Sequence, residues 1–172
     1  MKLKVALIIT LAAAAHSLAQ QAGNTALAAL QAIPGEYQDS VVKLSCTGAA
    51  PNPAQWHALA YDGEIGDAPR NIVISAGEVV SNSLSAKIGT MLAHQTGISL
   101  GNVLVDSPTA FEAAAILCQT KGQELASADM TLTQPGDGAT PVWDIVCYSS
   151  SGKKIGRVSI SASDAATLSE TF

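Results

Sequence analysis

The chain contains two copies of one pattern, offset by 87 residues. Sliding the sequence along itself without gaps places Trp56 on Trp143 and Tyr61 on Tyr148. The match is specific because the chain has only two tryptophans and three tyrosines. Beyond the tyrosines, the segment 74–76 pairs better with 160–162 at an offset of 86, which indicates a loop one residue shorter. Such a repeat predicts a fold built from two similar units.

Each copy begins with a segment that predicts a helix, "NTALAALQAIPGEYQ" in the first and "SPTAFEAAAILCQTKGQEL" in the second. In the second, Ser107 or Thr109 is a suitable N-cap, and Pro108 fits the first turn. Gly35 and Gly122 stand where we expect the two helices to end.

Three β-prone segments follow each predicted helix. They are "DSVVKLSCTG", the Trp56 strand and "NIVISAG" in the first copy, and "ASADMTLTQ", the Trp143 strand and "RVSISAS" in the second. We therefore expect an α+β fold of two tandem α-β-β-β units, with antiparallel meander sheets and helices packed on one face. Between the units, "SNSLSAKIGTMLAHQTG" predicts a connecting helix with one apolar stripe, formed by Leu84, Ile88, Met91 and Leu92.

The N-terminus has the pattern of a secretory signal peptide. Lys2 and Lys4 precede an apolar run, and the small-residue site Ser17-Leu18-Ala19 follows it. The run is too short to span a membrane, which takes about 20 residues. The predicted organisation is a signal peptide at 1–19, a first unit at 20–85, a connecting helix and linker at 86–106, and a second unit at 107–172. The mature protein is expected in the periplasm or outside the cell, without a membrane span.

Charge excludes one class of partner. Removing residues 1–19 leaves seven basic residues against fourteen acidic ones, a formal charge of −7. Such a surface repels nucleic acid, so nucleic-acid binding is not expected.

Several short motifs resemble the PepSY-like domains of exported bacterial proteins. The second unit has the strand Trp143-Asp144-Ile145-Val146, the hairpin at 151–154 and the strand end at 160–165. The first unit has Trp56-His57-Ala58-Leu59 and the strand end at 74–79. Tandem units of this kind are also similar to beta-lactamase-inhibitor-like proteins, whose paired repeats can form one wide sheet with helices on one side. The resemblance implies a binding or inhibitory function.

Alternation along the Trp strands separates their side chains into two faces. Trp143, Ile145 and Cys147 share the face expected under the helix. The opposite face gives the candidate binding residues, which are His57, Leu59 and Tyr61 in the first unit and Asp144, Val146 and Tyr148 in the second. Tyrosine suits binding surfaces because it combines contact area with a hydroxyl group. The alternative is that these side chains pack between the units or under the connecting helix.

The chain has three cysteines, so at most one internal disulfide can form. Cys118 lies on the second predicted helix and Cys147 on the sheet face beneath it, which predicts a Cys118–Cys147 bridge. Cys46 is then a buried free thiol; pairing with another chain, or replacement of one partner in the bridge, are the alternatives.

Catalytic and metal-binding patterns are weak. His57 and His94 have no Cys or His at ligand spacing, so neither a metal site nor a cofactor is expected. Asp62, Glu64 and Asp67 could offer oxygen ligands to calcium, although a solvated acidic loop is the simpler interpretation. The sequence thus predicts a secreted, non-catalytic module that binds a protein or small ligand through an open sheet face, and inhibition of an exported enzyme is the finer form of this prediction. A small exported hydrolase-like enzyme using His57 and an envelope structural protein are the alternatives, and the oligomeric state stays open.

Overall fold

A computed structural model describes residues 24–62, 68–85 and 96–172, and its main feature is one antiparallel sheet. Eight strands form it in the spatial order β4-β3-β2-β1-β5-β6-β7-β8. The strands are β1 (Val41–Ala49), β2 (Trp56–Asp62), β3 (Ala68–Ser75), β4 (Glu78–Leu84), β5 (Ser127–Thr133), β6 (Val142–Tyr148), β7 (Lys154–Ser161) and β8 (Thr167–Thr171).

The two repeats meet at the centre of the sheet, where β1 pairs with β5. Leu44 lies opposite Leu132, and Cys46 lies opposite Met130. Each repeat contributes four strands, because the segment after the third strand turns back and pairs as β4 or β8. The expected α+β class is therefore wrong: the protein is largely β, with few helices, and its two meanders are joined in a single sheet.

Short helices precede β1, and one longer helix precedes β5. They are α1 (Ala26–Ala32), α2 (Gly35–Gln38) and α3 (Ser107–Thr120), with a 3-10 turn at Leu100–Asn102. The single helix expected over 24–38 is broken at Ile33, which adopts extended backbone (ψ 134°) because Pro34 follows it. Gly35 therefore begins α2 and does not end a helix.

The ends of α3 follow from its sequence. Asp106, and not Ser107 or Thr109, is the N-cap; its carboxylate accepts a hydrogen bond from the Ser107 N–H at 2.7 Å. Pro108 lies in the first turn, as predicted. The helix ends at Thr120, and Gly122 follows its C-cap with a φ of +69° that favours glycine, while the Gln123 N–H donates to the Cys118 carbonyl across the helix end.

The prediction of a connecting helix over 81–97 is wrong for the first part of that segment. Residues 81–84 complete β4, pairing with Val73, Ile72, Asn71 and Arg70 of β3. Ile88, Met91 and Leu92 lie outside the described residues, as do the predicted signal peptide and His94.

One face of the sheet carries the core. Trp56 and Trp143 are fully buried there, with ring centroids 6.2 Å apart, so they pack where the two repeats meet. The helices contribute small side chains at helical spacing to the same cluster, namely Ala26, Ala29 and Leu30 from α1 and Ala110, Ala114 and Cys118 from α3. Small residues such as alanine let the helices approach the sheet closely. The helices of the described part of the chain pack on this face, and the opposite face carries none of them.

Candidate binding face

The face of the sheet opposite the tryptophans, called here the open face, is rich in hydroxyl side chains. Strand register aligns one side chain from each strand in a row across the whole sheet, consisting of Ser81, Val73, His57, Ser45, Thr131, Asp144, Ser159 and Ser169. A second row runs beside it, with Ser83, Asn71, Leu59, Lys43, Thr133, Val142 and Ser161. The face is thus mainly polar, with few charges.

All six predicted binding residues lie on the open face, three in each half. In the first half His57 is exposed, Tyr61 is half-buried and Leu59 is buried, at 8% exposure. The β2 end that carries Tyr61 is fixed to the turn before β1: the Tyr61 N–H donates to the Ser40 carbonyl at 3.1 Å, and the Ser40 hydroxyl donates to the Tyr61 carbonyl at 2.7 Å. His57 is therefore the most accessible of the three.

In the second half, two of the three predicted residues belong to polar networks. Asp144 accepts hydrogen bonds from the guanidinium of Arg157, one of them at 2.7 Å from Nε. The Tyr148 hydroxyl donates to Asp129 at 2.9 Å, and the other carboxylate oxygen of Asp129 accepts from the Gly48 N–H at 3.1 Å. The hydrogen bond to Asp129 raises the pKa of Tyr148 above its ordinary value. These contacts hold the side chains in fixed positions on the surface.

The register separates His57 from Asp144. Ser45 and Thr131 stand between them in the row, so three strand spacings, about 14 Å, separate the two. The Ser45 hydroxyl lies 3.5 Å from the main-chain carbonyl of His57, to which it donates. His57 and its neighbours in this row therefore do not form the arrangement of acid, base and nucleophile that a serine-type hydrolase requires.

Lys43 was not identified as a candidate binding residue from the sequence, although it occupies the centre of the open face. It lies on β1 between Leu59 and Thr133, it is exposed, and no ion pair to it is found among the described residues. Thr131 and Asp129, from β5, were missed as well. Alternation within β1 and β5 could have assigned them to a face, but only the pairing of the two repeats places them at its middle.

The described cavities lie away from the open face. One is a shallow groove of about 450 Å³ on the outer side of α3, and a neighbouring one of about 370 Å³ shares Glu112 and Ala115 with it. A third, of about 180 Å³, lies beside Leu30 and Ile98. None of these three cavities is lined by a residue of the open face.

All three cysteines are buried free thiols. Cys118 and Cys147 are fully buried where α3 packs on β6, although no bond joins them, and the Cys147 thiol donates to the Ile145 carbonyl. Burial raises the pKa of Cys46 to about 12 and that of Cys147 to about 12. The disulfide stays a prediction. The burial of Cys46 removes the exposed thiol that would have favoured an envelope structural protein.

The acidic loop considered for calcium is only partly described. Asp62 is buried and ion-paired with Arg70 at 2.6 Å, whereas Glu64 and Asp67 lie outside the described residues. Within 24–62, 68–85 and 96–172, no group of three or more His, Cys, Asp or Glu side chains could hold a metal ion. In the same residues, no helix is both long and apolar enough to cross a membrane.

Comparison with protein-family models, with curated proteins and with solved structures finds no match to this chain. The resemblance to PepSY-like and beta-lactamase-inhibitor-like proteins therefore rests on the short motifs alone.

Proposed function

We propose that the chain is an exported, non-catalytic binding protein that engages a partner protein through the open face of its sheet. The observation that carries the proposal is the extent of this face. Eight strands at the usual spacing make it about 34 Å wide, and seven residues of strand make it about 23 Å high. Its area is close to the roughly 800 Å² that each partner contributes to a standard protein interface.

The shape of the face favours a macromolecule over a small ligand. Small-molecule sites are concave and mostly apolar, whereas the open face is polar and the described cavities are elsewhere. Hydroxyl side chains such as Ser45, Thr131 and Ser159 offer hydrogen bonds without the cost of desolvating a charge. The tyrosine rings and His57 add contact area around them.

The charge of the face favours a partner with an acidic or neutral surface. The chain has nine basic and fourteen acidic residues, yet the open face carries three of each: Lys43, Lys154 and Arg157, and Glu78, Asp129 and Asp144. Two of these carboxylates are already engaged, Asp144 with Arg157 and Asp129 with Tyr148, and Glu78 lies at the start of the edge strand β4. Lys43 is thus the central cation available to a partner.

Inhibition of an exported enzyme is the finer form of this proposal. It rests on the resemblance of the two Trp-containing repeats to beta-lactamase-inhibitor-like proteins, and membership of a PepSY-like group is proposed on the same motifs. Docking on a flat sheet face needs no catalytic residue, which agrees with the separation of His57 from Asp144.

The test uses a charge reversal at the centre of the face. The purified chain captures its partner from the exported proteins of the source organism, and the affinity of that partner is then measured by calorimetry for the wild type, Lys43→Glu and Lys153→Glu. Lys153 is exposed in the β6–β7 turn, so its reversal changes net charge equally without altering the open face. We expect Lys43→Glu to weaken binding about tenfold or more and Lys153→Glu to leave it nearly unchanged.

Equal affinities of the wild type and Lys43→Glu would reject the open face as the binding surface. Loss of binding in a variant of the α3 groove, Ile116→Lys, with full binding by Lys43→Glu, would move the interface to the helix side. Tyr61 and Tyr148 are less suitable first targets, because both are half-buried and their truncation also removes packing.

A further inference from the structure

Cys118 and Cys147 form the one place where two thiols meet in the described part of the chain. Cys118 lies in the last turns of α3 and Cys147 near the end of β6, and α3 packs on β6. Both side chains are at 0% exposure where α3 packs on β6, and each thiol affects the pKa of the other. A bond between them would join helix to sheet in the second repeat only, since Ala60 lies where the first repeat would need the strand cysteine.

We propose that Cys118 and Cys147 are a thiol–disulfide exchange site that is oxidised while the second repeat is still folding, so that the bridge is sealed in the core when α3 docks. The proposal is independent of the binding function. It follows from two observations: α3 and β6 bring the two cysteines together in the core, yet their full burial excludes an oxidant from the folded protein.

The chemistry needs an oxidant that is itself a disulfide, such as oxidised glutathione or an exported dithiol oxidase. A thiolate of the unfolded chain attacks the glutathione disulfide and releases one glutathione. The second cysteine thiolate then attacks the mixed disulfide and releases the other. Two glutathione molecules carry away the two protons and two electrons that the cysteines lose.

Burial makes the folded protein a poor reactant for the same steps. Only the thiolate attacks a disulfide, and burial raises the pKa of Cys147 to about 12 and that of Cys118 in the same direction. Exchange in the folded protein must therefore wait for the core to open.

Cys46 is excluded from this bridge by its position. It lies on β1 opposite Met130 of β5, and β6 carries Cys147 beyond that strand. Two strand spacings separate the backbones by about 10 Å, which exceeds the roughly 7 Å limit between the Cα atoms of a disulfide.

The first experiment compares two starting states of one chain. The reduced protein is either unfolded in urea and refolded with a mixture of oxidised and reduced glutathione, or given the same mixture while folded. Remaining thiols are alkylated after denaturation and counted by mass spectrometry, and the bridged peptides are mapped. We expect refolding to leave one alkylated cysteine, Cys46, and the folded protein to form the same bridge more than about tenfold more slowly.

The second experiment compares the oxidised and reduced forms of the Cys46→Ala variant, which holds only the pair. A bridge that closes a loop of about 30 residues should raise the unfolding temperature by about 6 to 12 °C. Because both forms have the same sequence, a packing change caused by a substitution at Cys118 or Cys147 cannot produce the difference.

Three outcomes would overturn the proposal. Three alkylated cysteines after refolding would show that the pair is not an exchange site. A mapped bridge that contains Cys46 would show that the proposal names the wrong pair of cysteines. Equal rates of oxidation in the folded and unfolded chains would refute the order of events.

Discussion

At the scale of single residues, Trp56 and Trp143 occupy equivalent places in the two repeats. A buried indole N–H needs a hydrogen-bond acceptor. Trp56 Nε1 donates to the Asn24 carbonyl at 2.9 Å, and Trp143 Nε1 donates to the Val105 carbonyl at 2.8 Å. Each acceptor belongs to the chain just before the helix of the same repeat, so each tryptophan ties its own helix to its own strand.

A pH prediction belongs to Tyr148. The hydrogen bond to Asp129 raises its pKa above the ordinary value of about 10, because ionisation would break that bond and place two negative charges side by side. A raised pKa means that Tyr148 contributes stability below the ordinary value, and that this contribution is lost as pH rises through the pKa of the folded state. We expect Asp129→Asn to lower the Tyr148 pKa towards its ordinary value.

The measurement is the ultraviolet titration of the three tyrosines, with Tyr148→Phe as the control that identifies which step belongs to Tyr148. The stability difference between the wild type and Asp129→Asn in urea should also shrink above about pH 10. An unchanged titration in Asp129→Asn would show that Asp129 does not perturb Tyr148.

At the scale of elements, the N-terminus of α1 is capped from the other repeat. Asp106 accepts a hydrogen bond from the Leu27 N–H at 3.0 Å as well as from the Ser107 N–H that begins its own helix. The Ser107 hydroxyl accepts from the Ala26 N–H at 3.0 Å. These two contacts join residues that are 81 and 79 positions apart in the chain. The two helices therefore share one cap.

This shared cap makes Asp106 more important than an ordinary N-cap. Asp106→Ala removes acceptors from two helix N-termini, so we expect it to lower the free energy of unfolding by about 1.5 to 3 kcal/mol. Thr25→Ala removes a cap from α1 alone, a 3.3 Å bond to the Ala28 N–H, and should cost about 0.5 to 1 kcal/mol. Urea unfolding followed by circular dichroism measures both.

Equal losses in the two variants would contradict a shared cap. Glu124→Ala is a suitable reference, since Glu124 is exposed in the loop between α3 and β5 and caps no helix.

The elements also show what local sequence can and cannot predict. The Trp strands and the end of α3 just before Gly122 follow from alternation and from glycine, which are local properties. The fourth strands do not: Glu78–Leu84 carries leucine and valine at spacings that fit a helix or a strand, and pairing with β3 decides between them. Ile33 is the reverse case. The sequence prediction followed a long helical pattern through this position, whereas the local effect of Pro34 ends the helix there.

The centre of the candidate face was beyond prediction for the same reason. Lys43 and Thr133 are separated by 90 residues in the chain and become neighbours only through the pairing of β1 with β5. Alternation assigns side chains to a face, but it does not order the strands. The six residues predicted on the open face were therefore placed correctly relative to their own strands, while the residues between the two groups were missed.

At the scale of the whole molecule, the duplication produces one core and not two. The buried cluster runs from α1 through both tryptophans to α3, and β1 and β5 carry it across the joint with Leu44, Cys46, Met130 and Leu132. Units of this size bury a smaller fraction of their surface than larger domains and are only marginally stable alone. Joining two of them edge to edge gives each unit a neighbouring strand and half of a shared core.

Cooperative unfolding is the consequence that can be measured. Trp56→Phe leaves Trp143 as the fluorescent reporter of the second repeat, and Trp143→Phe leaves Trp56 as the reporter of the first. Each substitution removes part of a fully buried ring and its N–H bond, so we expect each to cost about 2 to 3 kcal/mol. Within each variant, however, fluorescence and circular dichroism should give the same urea midpoint, because the two repeats share the 6.2 Å tryptophan contact and the β1–β5 pairing. A fluorescence transition that separates from the circular dichroism transition in either variant would show that the repeats unfold independently.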